Sequence, residues 1–262
     1  MPHPLMGIKD GDNLYLNIMT QDKDLQFLQF CKNDDLITLC NILTKDNFGN
    51  YRFNEQLTST NSYPQNMNNM WVDLANELQR YGGNTLVNVF MRNGRGPAYA
   101  EIVKNVCHKL KVSVPQYAYI AHMGAIIMEN IIDNTLSKMP KKEIRNLCNQ
   151  LNISCGDKLA KDAILAALIA SRMESLKVYK LLILNILSFI SHTLIFPGSL
   201  TGDSFIMTHP LGLVLRSIMT TAQAGMSIWD VVGPAYRVII PAILQVALIR
   251  MDYLSSVCKA AV

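Results

Sequence analysis

Apolar residues recur at steps of three and four along most of this chain. That is the period of a helix with one buried face, not the alternation of a strand. In DKDLQFLQFCKNDDLITLCNILT (22–44) the pattern divides into two short helices. The first carries Leu25, Phe27, Leu28 and Phe30 behind an Asp24 cap. The second carries Leu36, Ile37, Leu39, Ile42 and Leu43 behind Asn33 or Asp34. Side-chain oxygens at these places satisfy amides that lack an intrahelical partner, and a carboxylate suits the positive helix end. Residues 45–69, rich in Asn, Ser, Thr and Gly, read as connection with a single helical turn.

A third helix is predicted over MWVDLANELQRYGG (70–83), with Trp71, Leu74, Leu78 and Tyr81 on one face and Gly82–Gly83 as its stop. NTLVNVFMR (84–92) restarts behind Asn84, NGRG (93–96) turns, and Pro97 opens a helix running to about Val112. A long helix over 115–139 carries Ile126, Ile127, Met128, Ile131, Ile132 and Leu136, and a further pair over 140–173 joins at Gly156. No segment alternates like a strand and no repeat is present, so the fold class is all-α: N-terminal helical hairpins followed by an apolar C-terminal helical bundle.

The last third is different in character. Between residues 181 and 249 only Asp203, Arg216, Asp230 and Arg237 are charged. Breakers divide it into about 176–196, 209–233 and 235–262. The uninterrupted apolar run LLILNILSFISHTLIF (181–196) would be roughly 24 Å long as a helix, short of a bilayer core unless Lys177 and Lys180 snorkel. Asn185, Ser188 and His192 form a polar seam along it, and Leu184 and Ile190 mark its apolar body. Arg237 and Gln245 form a second seam, eight residues apart around a kink at Pro241. Polar seams favour contact with a neighbouring helix, where hydrogen bonds can form, in a soluble core or in a bundle within lipid. The two seams are therefore expected to face each other, and both settings stay open.

Composition sharpens the boundary. Charged residues are 17% of the 262-residue chain, and 35 of the 44 lie before residue 177. The expected division is a tail (1–20), a short helical-hairpin domain (21–60), a helical domain (68–175) and the apolar domain (176–262). A net charge of +4, evenly spread, does not call for nucleic acid. Residues 138–168 have the outline of a small helix–extension–helix module, but with mixed charge and no aromatic platform. The first 20 residues lack the basic and long apolar regions of a secretory signal. The expectation is a cytoplasmic protein, peripheral to or inserted in the inner membrane, whose six cysteines are reduced, buried thiols.

Two stretches, LANELQRYGGNTLVNVFMRNGRGPAYAEIVKNVCHKLKV (74–112) and GPAYRVIIPAILQVALIRM (233–251), resemble the YaaW family of uncharacterised bacterial proteins. DLQFLQFCKNDDLITLCNILT is similar to a short domain of unknown function that begins many of them. Family-like positions include Glu77, Gly82, Gly83, Arg92, Gly94, Gly96, Tyr99 and Glu101, then Tyr236, Arg237, Pro241 and Gln245. The resemblance implies a relation of residues 70–170 to the ubiquinol–cytochrome c assembly chaperone domain. It implies no established activity.

Chemistry is sparse. Arg92 and Arg95, above the helix start at Pro97, could clamp an anion, or pair with Glu77 or Glu101 at the surface. Arg237 lies in so apolar a setting that it needs a partner, with Asp230 the natural candidate. No histidine stands at characteristic spacing from an acid or nucleophile, the cysteines form no zinc pattern, and NGRGP lacks the Lys-Ser/Thr of a phosphate loop. No enzyme, metal or cofactor is expected. Two readings follow: a membrane-interacting, pore-type or docking protein, or a soluble chaperone-like scaffold whose apolar region is its own core or a client groove. The expected partners are membrane lipid, a client protein or a second copy of the chain.

Overall fold

The computed structural model describes residues 22–45, 57, 63–83, 96–115, 118–154, 160–195 and 236–260. Among them the regular structure is eight α-helices with short 3-10 turns at Gln26–Phe30 and Met67–Met70, and no strand. The helices are α1 (Asn33–Thr44), α2 (Trp71–Gly82), α3 (Tyr99–Lys109), α4 (Ile120–Lys138), α5 (Lys141–Gln150), α6 (Ala160–Glu174), α7 (Leu176–Ile195) and α8 (Tyr236–Ala260). The all-α reading holds.

Most helices follow their apolar spacing. On α2 the buried face is Trp71, Leu74, Ala75 and Leu78, and on α3 it is Tyr99, Ile102, Val103, Val106 and Cys107. The ends depart from expectation. Residues 26–30 form a 3-10 turn, and neither Asp24 nor Asn33 caps by its side chain. Asn33 instead reaches across the chain: its Oδ1 accepts from the Met67 amide at 2.9 Å and its Nδ2 donates to the Pro64 carbonyl at 2.7 Å. Asn68 answers by donating to the Gln29 and Cys31 carbonyls at 3.0 and 2.8 Å. Asn33 and Asn68 thus bind the connection to the first hairpin from either side.

Asp22 plays a similar part at longer range. Its Oδ2 accepts from the Tyr99 amide at 2.5 Å, at the start of α3, and from Gln79 Nε2 at 2.9 Å. α3 begins at Tyr99, two residues after Pro97, and ends at Lys109. It closes with Lys111 at φ 54 and the Val112 amide bonded back to the Cys107 carbonyl. α5 closes the same way, with Asn152 at φ 55 and Ile153 bonded to Cys148.

The centre of the core is α8. Every residue from Val238 to Ile249 is buried, so this stretch of the helix has no solvent face. It packs against α1, α2, α4 and α7, with further contact to α3 and the first 3-10 turn. At Gly124 on α4 an added Cβ would lie 2.7 Å from the Ala247 Cβ, so a missing side chain lets the two helices approach. Leu25 and Leu36 through Ile249 join one apolar cluster. The composition break near residue 176 therefore does not divide the core: α8 is wrapped by helices from the charged part of the chain.

Candidate functional site

Length and composition would let Val238–Val257 cross a membrane, but 72% of that stretch is buried inside the fold. A helix apolar all round needs either lipid or protein on every face, and here protein supplies it. A group of exposed apolar residues lies on α6 and α7. Ile169, Met173, Lys177 and Leu181 follow one another at steps of four, and all are exposed. Met173 is 82% exposed and Leu181 53%. Val178 extends the ridge on its flank. Ser175 separates the two helices and serves both: its amide bonds to the Ser171 carbonyl, and its Oγ accepts from the Lys177 amide at 3.3 Å.

Beside the ridge, α7 is tied to two other helices by consecutive residues. Tyr179 is fully buried and its hydroxyl donates to Glu129 Oε1 of α4 at 2.7 Å. Arg172 of α6 pairs with the same carboxylate at 3.2 Å. Burial, and next the Glu129 charge, push the Tyr179 hydroxyl well above its ordinary range. Lys180 Nζ lies 2.5 Å from Asp252 Oδ2 of α8. Asp35 of α1 is close enough to feel both charges: desolvation raises its carboxyl, Lys180 lowers it and Asp252 raises it further.

A second exposed group adjoins the end of α8. Phe30, 67% exposed, stacks on Tyr253 with ring centroids 6.2 Å apart, and Phe27 packs on the same ring at 5.6 Å. Arg250 lies over Phe27, 4.5 Å from its centroid, and donates to the Asp24 carbonyl. Leu254 and Val257 are exposed on the following turn.

The candidate residues divide as follows. Gln245 is 2% exposed, but its partner belongs to α1: Nε2 donates to the Asp35 carbonyl at 3.1 Å. Its Oε1 accepts no bond among the described residues. Asn185 is exposed, so it faces outward rather than toward α8. The inner face of α7 is Tyr179, Ile183 and Ile186, with Leu184 half-buried against the core. α7 does pack against α8, with Lys180 paired to Asp252; of the two expected seams, the described members Asn185 and Gln245 do not meet. The reason is helical phase: Asn185 continues the exposed series that begins at Ile169. Ser188, Ile190 and His192 lie on the α7 backbone, but their side chains, like that of Arg237, fall outside the described residues. So do Arg92, Arg95 and Asp230. His108 and His122 are exposed.

Cys31, Cys40, Cys107 and Cys148 are buried, and burial pushes the Cys31 thiol up to about 12. Tyr179, Glu129 and the Lys180–Asp252 pair were not singled out by sequence reasoning. The step-four series from Ile169 was legible, since both ends of the Ser175 break keep the same phase.

Residues 19–53 match the model of a domain of unknown function, DUF3944. Over 241 residues the chain is 31% identical to a UPF0174 protein of Helicobacter pylori strain J99, covering 88% of this chain and 91% of that protein. The UPF0174 protein YaaW of Escherichia coli K12 is 27% identical over 248 residues, 90% of this chain and 95% of that one. No solved structure matches the chain. Identity of 31% with 88% of this chain and 91% of the relative covered spans most of both lengths, and the chain belongs to the UPF0174 family, which includes YaaW.

Proposed function

We propose that this is a non-enzymatic helical protein that docks on a membrane surface through the α6–α7 ridge, while α8 stays in the core. The observation that carries the reading is the exposure of Ile169, Met173, Lys177 and Leu181: three large apolar side chains and one ammonium at four-residue spacing across the α6–α7 junction. Such a line suits the headgroup boundary, where apolar tips enter the acyl region and a lysine meets anionic headgroups. Solvation alone gives no reason to hold a methionine 82% exposed beside a leucine and an isoleucine.

A second reading is favoured by a different observation. The burial of α8 is what a soluble scaffold would show, and the ridge would then take a client protein, in keeping with the resemblance to an assembly-chaperone domain. Flotation with vesicles containing a third anionic lipid separates the two. The intact chain is expected to float, and the Met173→Gln/Leu181→Gln variant to remain at the bottom with unchanged helical circular dichroism. An intact chain that does not float would exclude docking and leave the scaffold reading.

A further inference from the structure

The charges on α6 and α7 decide what kind of membrane suits the exposed ridge. α6 contributes Lys161, Asp162, Arg172 and Glu174, and α7 only Lys177 and Lys180. No Asp, Glu, Lys or Arg follows Lys180 in α7. Three of the four cations are engaged by carboxylates of neighbouring helices: Lys161 by Asp133 at 2.7 Å, Arg172 by Glu129 at 3.2 Å and Lys180 by Asp252 at 2.5 Å. Lys177 forms no ion pair among the described residues. The exposed carboxylates Asp162 and Glu174 stand against it, so the two helices present no surplus of positive charge.

Magnitudes favour the apolar side. One lysine at an anionic surface strengthens binding about fivefold. Each methylene moved from water into acyl chains strengthens it about fourfold, so two methylene equivalents of Met173 or Leu181 already outweigh Lys177. The ridge also lacks Trp, Tyr and Phe, whose rings rest at headgroup level. Its aliphatic tips and the pliable Met173 have to find acyl carbon between the headgroups. We propose that the ridge reads lipid packing rather than surface charge: its partner is a loosely packed, strongly curved bilayer, whose gaps admit Ile169, Met173, Val178 and Leu181. The proposal rests on the docking reading above and adds to it the kind of bilayer.

Flotation of the full chain with three kinds of vesicle tests it: small vesicles of dioleoylphosphatidylcholine, large vesicles of the same lipid, and large vesicles with a third phosphatidylserine. The chain is expected to partition about tenfold or more in favour of the small neutral vesicles over the large neutral ones. That binding should persist in high sodium chloride, which screens surface charge. Phosphatidylserine is expected to add about fivefold at low salt and nothing at high salt. Lys177→Gln should remove that increment alone, whereas Met173→Gln or Leu181→Gln should lower partition onto every vesicle by about tenfold or more. All three positions are exposed, and circular dichroism checks that each variant folds.

Binding that requires phosphatidylserine and is lost in high salt would overturn the packing preference and leave docking itself standing. Equal binding to small and large neutral vesicles would do the same. A chain that floats with no vesicle removes the docking reading and this inference together.

Discussion

Asp35 shows how much a single residue's setting can alter its contribution. Its backbone carbonyl holds Gln245, while its carboxyl is half-buried near Lys180 and Asp252. Desolvation outweighs the lysine, so the folded carboxyl titrates above the ordinary value of 3.8. A raised folded value means that the native state binds the proton more tightly than the unfolded chain. The stability this group contributes is then full below 3.8 and is lost as pH rises through its folded value. The Asp35→Asn variant is expected to be more stable than the parent at pH 7, with the gap closing on acidification toward 3.8. Urea midpoints across that range check it; a less stable variant would show that Lys180 attraction wins. Little of this was legible in the sequence. The string NDD marks a helix start, but nothing local places Lys180, 145 positions on, beside it.

Elements meet where side chains allow it, and α4 meets α8 at a glycine. Because a Cβ at Gly124 would lie 2.7 Å from that of Ala247, the helices pack closer there than larger residues permit. Gly124→Val is expected to cost about 1–3 kcal/mol by overpacking, despite the better helix propensity of valine. Ala247→Gly in the same chain should recover part of the loss, as seen in urea unfolding; a recovery of nothing would place the strain elsewhere. Apolar spacing located α1 to α6, because each shows a buried face through its own period, whereas breakers marked off α7 and α8. Their ends were harder to read. α3 and α5 close on Lys111 and Asn152 in a left-handed conformation where glycine is the usual signal. Asp22, which serves the first amide of α3, is 77 residues away.

For the molecule as a whole, the placement of α8 decides what can fold alone. A chain ended after Ala235 would expose the inner faces of α1, α2, α4 and α7 together. It is expected to lose cooperative urea unfolding and to bind an apolar dye, although the charged part of the sequence looks self-sufficient. A truncated chain that unfolds cooperatively at the parent midpoint would contradict this placement. The sequence by itself determined the helical class, the inner faces of most helices and the existence of a third that is nearly free of charge, since periodicity and composition are local properties. Only the tertiary structure decided that the apolar helix α8 is a core covered by helices distant in sequence, that Gln245 answers α1, and that α6 and α7 carry an exposed ridge. An apolar helix satisfies lipid and protein equally well, and its sequence does not record which surface covers it.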